Sequence, residues 1–240
     1  MKQLSFLLSI AVILTLSACS AAQQIIKEVD KNMNNKPVTE NEVIMGLKQA
    51  LEFGIGNGAD MVSKADGYFK NPKIKIPFPP EAQKVEKTLR DLGLGSEVDK
   101  VVLSLNRAAE DAAKSAKPIF VSAIKQMTIK DAMNILKGND NAATEYLRKA
   151  TSNDLRTAFK PVINKSLDKV AATKYWDDVI KRYNQIPLVQ KVNPDLNAFV
   201  TEKALDGLFF MVAQEESKIR KNPGARITEL LKRVFKLQDK

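Results

Sequence analysis

The sequence predicts an all-α fold: a single multi-helix domain with one short extended proline-rich arm. Three observations lead there. Apolar residues recur at three- and four-residue steps through most of the chain. Helix-start patterns, a Ser or Thr followed three residues later by an acid, stand before several of these runs. The stretch that alternates like a strand, Lys73 to Phe78, is bounded or broken by Pro72, Pro77, Pro79 and Pro80, which deny it ladder donors. With 240 residues, 44% hydrophobic and 28% charged, the chain is long enough to bury one substantial core.

Taken in order, Thr39 with Glu42 predicts a first helix carrying Val43, Leu47, Ala50, Leu51 and Ile55 to about Asn57. Gly54, Gly56 and Gly58 have no preceding strand and no following Gly-Lys-Ser/Thr, so they read as close packing or a turn rather than a phosphate loop. The chain turns at Asp66-Gly67, and the arm then places Ile74, Ile76 and Phe78 on one side and Lys73 and Lys75 on the other. Ala82, Val85, Leu89 and Leu92 form a stripe ended by Gly93 and Gly95, and Ser96 with Asp99 opens the next helix, which Pro118 interrupts. Thr128 with Asp131 opens a short helix closed by Gly138. Asp140 precedes another through Lys149, and Thr151 with Asp154 opens a longer one containing Pro161. Thr173 caps a helix bearing Trp176, Val179, Ile180 and Tyr183. Asn193-Pro194 begins the long Leu205–Ile219 segment, and Asn222-Pro223 begins the last helix, with Ile227, Leu230, Leu231 and Val234.

Residues 1–18 have the shape of a lipoprotein signal peptide: Lys2, an apolar run from Phe6 to Leu16, then small residues directly before the single cysteine, Cys19. This order resembles the lipobox of bacterial lipoproteins, whose cysteine is diacylated after cleavage. Acylation of Cys19 explains a lone cysteine in an exported chain without a disulfide, and two acyl chains give a stable membrane anchor. Ser20 in place of Asp resembles the outer-membrane class of enteric bacteria, so the expected location is the bacterial cell envelope, on the periplasmic face of the outer membrane. Residues 19–38 are polar and read as a tether, followed by the helical domain at 39–240. Removing the leader takes away only Lys2 among charged side chains, so the formal +10 becomes about +9. A basic body on a lipid tether suits an anionic envelope component or a protein partner, besides the membrane itself. No nucleic-acid motif is present, and nucleic acid is a poor partner for an exported chain.

The chemistry open to this chain is narrow. With no histidine and one cysteine, imidazole bases, histidine-bound zinc and thiolate sites are excluded, and no carboxylate cluster has metal-ligand spacing, so neither metal nor other cofactor is expected. What remains is a polar constellation on helices: Asn106, Arg107 and Glu110; Tyr146 and Arg148; Glu215, Glu216 and Arg220. Glu215 and Glu216 border or enter the apolar face made by Leu205, Leu208, Phe209, Val212 and Ile219, where a carboxylate is costly unless paired, and Arg220 stands one turn on. Such residues either fix helix register through ion pairs and hydrogen bonds or perform acid–base work. The second role requires Glu110 and Glu216 to share a cleft.

The ordered residues Asp66-Gly67, Lys75-Ile76-Pro77, Asn106-Arg107-Ala108-Ala109-Glu110, Ala132 with Ile135-Leu136, Ala142-Ala143-Thr144, Ala204 to Phe209, and Ile219-Arg220 with Asn222-Pro223 resemble the bacterial domain of unknown function 4197, from about Gly46 to Phe235. The resemblance implies a helical envelope protein and carries no activity, cofactor or catalytic residue. Together these readings give a lipid-anchored envelope protein serving as a non-enzymatic binding or interaction module. A carboxylate-dependent hydrolase and a structural spacer stand as alternatives.

Overall fold

The computed structural model describes residues 37–169, 176–177, 181, 184–185, 191 and 195–236. The leader, Cys19, the tether as far as residue 36, the helix expected from Thr173 through Tyr183 apart from a few positions, and the Asn193-Pro194 start lie outside the described residues. Among those described there are eight α-helices and no strand: α1 Glu40–Val62, α2 Gln83–Asp91, α3 Gly95–Ala113, α4 Ala116–Gln126, α5 Ile129–Lys137, α6 Ala142–Asp168, α7 Leu196–Lys221 and α8 Glu229–Lys236. Single 3-10 turns occupy Pro80–Ala82 and Pro223–Ala225.

Two long pairings organise the body. α7 lies against both α6 and α1, and α6 in turn packs on α3 and α4. α1 is also met by α4, α5 and α8 on its buried side, while Met45, Phe53 and Met61 leave its other side at the surface. The shared core is built from Leu47, Ile55, Phe120, Leu147, Phe159 and Phe209, all essentially without solvent exposure. Phe120 and Phe209 meet edge to face at 5.7 Å, a favoured aromatic geometry. Gly54, Gly56 and Gly58 lie inside α1 rather than in a loop. A Cβ on Gly58 would stand in ordinary contact, 3.5 Å from the α7 backbone at Met211 and Val212, which places this turn of α1 directly against α7.

The arm takes the expected course. Ile74, Ile76 and Phe78 are buried, Lys73 and Lys75 are exposed, and the Phe78 and Trp176 rings meet edge to face with centroids 5.4 Å apart. The Thr128–Asp131 capping box is present with both reciprocal bonds.

Several helix boundaries differ from the sequence reading, each for a local reason. The two helices expected on either side of Thr151 are one, Ala142–Asp168. The Thr151 hydroxyl donates back to the Leu147 carbonyl at 2.7 Å instead of capping a new start. Pro161 sits within this helix on its exposed side. The break assigned to Pro118 falls earlier, at Lys114–Ser115, and Pro118 occupies the first turn of α4, where its missing N–H has no helical partner to lose. Ser96 and Asp99 do not cap α3, which starts at Gly95; Asp99 pairs with Arg90 of α2 instead. α7 is capped by Asp195, whose carboxylate accepts from the Ala198 amide at 2.8 Å. At the last helix Asn222-Pro223 starts only a 3-10 turn, and α8 begins at Glu229, which leaves Ile227 61% exposed rather than on the core stripe.

Candidate functional site

The expected constellation separates into two buried clusters and three isolated positions. The first cluster holds the arm. Asn106 and Glu110 are one turn apart on α3 and wholly or almost wholly buried. The Asn106 side chain treats Ile76 as a neighbouring strand would: its oxygen accepts from the Ile76 amide at 2.8 Å and its nitrogen donates to the Ile76 carbonyl at 2.8 Å. One Glu110 oxygen accepts from the amides of Tyr68 and Phe69 at 3.1 and 3.2 Å; the other takes the Arg107 guanidinium at 2.6 Å. Arg107 also donates to Asp66 at 2.7 Å, and Asp66 pairs with Lys70 at 2.8 Å. The Tyr68 hydroxyl, fully buried, donates to the Ala204 carbonyl of α7 at 2.6 Å. Burial, with the Glu110 charge adding to it, pushes the Tyr68 hydroxyl well above the ordinary tyrosine range, so it stays a donor.

Two glycines make this geometry possible. Asp66 adopts φ +69°, and Gly67 follows so tightly that a Cβ there would stand 2.8 Å from the Val62 carbonyl oxygen. Gly207 on α7 seats the Tyr68 ring, which would lie 2.6 Å from an added Cβ.

Hydrogen bonds from Lys70 and then Arg107 hold the Asp66 carboxyl below its ordinary value of 3.8. A depressed folded value means that the contribution to stability is complete above the unfolded value and is lost as pH falls through the folded one. The expected result is that Asp66→Asn, which keeps a residue tolerant of positive φ, flattens the fall of the thermal midpoint below about pH 4. Midpoints of both proteins across an acid pH series check this. Equal acid slopes for the two chains would rule it out.

The second cluster joins α7 to α6. Asn141 precedes α6 without a side-chain cap, and Glu216 of α7 supplies one from across the fold. Its carboxylate accepts from the Ala143 amide at 3.0 Å, and from the Thr144 amide and hydroxyl at 2.8 and 2.7 Å. A negative group at a helix N-terminus also meets the positive end of the backbone dipole. Arg220 lies 2.8 Å from the same carboxylate and donates to the Ile135 carbonyl at the end of α5 at 2.9 Å. Arg226, 2% exposed, was not singled out in the sequence. It donates to the Ile219 and Arg220 carbonyls at the end of α7, at 3.2 and 3.0 Å, and its guanidinium faces the Phe235 ring at 5.6 Å. Its sequence signal was position, a basic residue just beyond a helix end.

The remaining residues stand apart. Glu215 is buried, with a carboxylate oxygen 3.7 Å from the Lys218 ammonium. Arg148 pairs with Asp206 at 3.3 Å and covers the Phe209 ring at 4.4 Å, at the surface. Tyr146 lines a separate groove between α4 and α6. Among the described residues Glu110 and Glu216 have no hydrogen-bond partner in common. Tyr68, whose amide Glu110 holds, places its ring at Ala204 and Gly207, and Glu216 lies nine residues beyond Gly207, about 13 Å along the helix axis. The cavity beside Glu216 and Arg220 has about 20 Å³, enough for about one water, between Leu51, Ile55, Val212 and Phe235. Among the described residues no group of three or more acidic or cysteine side chains is placed to hold a metal ion, and no helix is long and apolar enough to cross a membrane.

Fold and clusters define a class: an all-helical domain whose buried carboxylates are saturated by backbone amides and arginines. The chain matches the family described as Protein of unknown function (DUF4197) over residues 37–236 and belongs to that family. No curated protein and no solved structure matches it.

Proposed function

We propose that this chain is a lipid-anchored bacterial envelope protein whose helical body works by binding rather than by turning over a substrate. The observation that carries the second half is the saturation of Glu110 and Glu216. Each accepts two backbone amides and an arginine, so neither has the open geometry that a general acid or base needs toward a substrate. The placement rests on the leader, with its apolar run and small residues ahead of Cys19. A basic body, formally +10 over the whole sequence, favours anionic headgroups or an anionic envelope polymer as neighbours, and the outer membrane follows from Ser20 after the cysteine.

Intact-mass measurement of the exported chain tests the anchor: a diacylglyceryl mass on Cys19 is expected, and Cys19→Ser should move the protein from the membrane fraction to the soluble one. A chain with an unmodified thiol, or a Cys19→Ser protein that sediments with membranes as before, would end this reading. The hydrolase alternative makes an opposite demand, that Glu216→Gln abolish an activity while leaving the thermal midpoint in place.

A further inference from the structure

We infer that the groove between α4 and α6 is a binding site for a neutral, hydroxyl-rich ligand, a stretch of glycan. Its walls follow from helix periodicity. On α4, Ile119, Ser122, Ala123 and Gln126 share one face; on α6, Tyr146, Ala150 and Asp154 do the same, one turn apart each time. The space between them is about 420 Å³, within the range of small-molecule sites, whereas the cavity at Glu216 has room for about one water.

The chemistry along the groove selects the ligand. Among the described residues the Tyr146 hydroxyl reaches only the Ala123 carbonyl, at 3.5 Å, so a strong donor is left with a weak partner. Burial and the charge of Asp131 raise the Tyr146 phenol above its ordinary range, which keeps it protonated. Ser122 accepts from the Gln126 amide nitrogen at 3.2 Å, which leaves the serine proton to donate and the Gln126 carbonyl oxygen to accept. Asp154 stands exposed on the rim, and no hydrogen bond or ion pair engages it among the described residues. Between these polar groups runs an apolar strip of Ile119, Ala123 and Ala150.

Alternating donors and acceptors beside an apolar strip match a sugar ring, whose hydroxyls lie around the edge and whose C–H groups form the faces. An anion is disfavoured, because the charge on the rim is a carboxylate and no basic side chain among the described residues lines the groove. A peptide in extended form would need a run of free backbone partners, and the two helices that form the walls bond theirs internally except in the last turn of α4. The inference rests on the body being a binding module and does not depend on acylation of Cys19.

Titration calorimetry of the detergent-solubilised full chain with chitotetraose, cellotetraose and maltotetraose tests it. At least one of these neutral glycans should bind. Tyr146→Phe and Asp154→Asn should each weaken that binding about tenfold, roughly one hydrogen bond's worth. Ala150→Trp, at an exposed position, should fill the groove and abolish binding, with the thermal midpoint of every variant close to the parent's. Silence from all three glycans overturns the inference while leaving the anchored body to bind something else. Glycan binding that survives Ala150→Trp keeps the body as a binding module and removes the groove from it.

Discussion

Glu216→Ala should lower stability by about 3–5 kcal/mol, the usual cost of removing one partner from a buried ion pair. The side chains of Glu216 and Arg220 are each 7% exposed, so the arginine would be left charged and dry beside an apolar cavity. The Ala143 and Thr144 amides and the Thr144 hydroxyl would lose their acceptor as well. In a domain of about this length the midpoint moves roughly 2–4 °C per kcal/mol, so a fall of about 6–20 °C is expected. Glu216→Gln retains a carbonyl acceptor for one helix amide but loses the charge, and should cost less, about 1–3 kcal/mol. Thermal unfolding of the parent and both variants checks the ranking. A Glu216→Ala protein that melts with the parent would show that the cap is not used.

Glu110→Ala should have the second-largest effect, about 2–4 kcal/mol, and should act on the arm first. The alanine leaves the Tyr68 and Phe69 amides without an acceptor, one of them fully buried. The Arg107 contact adds less than its short distance suggests, because that guanidinium is 40% exposed and water screens it. Loss of these bonds frees the turn from Asp66 to Phe69, and with it the Tyr68 ring from its seat at Gly207. Limited proteolysis should therefore cut within residues 64–79 in Glu110→Ala at temperatures where the parent is intact. Asn106→Ala should expose the same stretch, and because both side chains hold one segment the two changes should not add. Cleavage elsewhere before the arm would count against this order of events.

The helical nature of the chain, and the burial of Glu215 and Glu216, were legible because both follow from spacing along a single helix. Glu216 falls four after Val212 and three before Ile219, and both flanking residues are buried with it. The arm was legible for a similar reason: alternation set which side chains went inward, and proline excluded a ladder. What spacing does not carry is the partner. Arg220 was readable as one turn from Glu216, but the α6 amides that Glu216 caps lie more than seventy positions away in sequence, as their bonds record. Asn106 facing Ile76 is likewise a tertiary contact with no local trace. Thr151 with Asp154 imitated a helix start well enough to divide one helix into two, because a capping pattern in sequence is also compatible with a threonine that bonds back to the preceding turn. The residues that carry the family resemblance gain a physical meaning from this: Asp66-Gly67, Ile76, Asn106, Glu110, Ala204 and Gly207 meet at the arm, and Ile135, Ala143-Thr144 and Arg220 meet at the cap.

The central claim is that buried carboxylates hold the arm against α3 and α6 against α7 by occupying backbone amides. Residue-resolved amide hydrogen exchange at Ala143, Thr144, Tyr68 and Phe69 reads it directly. Glu216→Ala should speed exchange at Ala143 and Thr144 while sparing Tyr68 and Phe69, and Glu110→Ala should do the reverse. Unchanged exchange at all four amides in both variants would contradict the claim, and the carboxylates would then need another role.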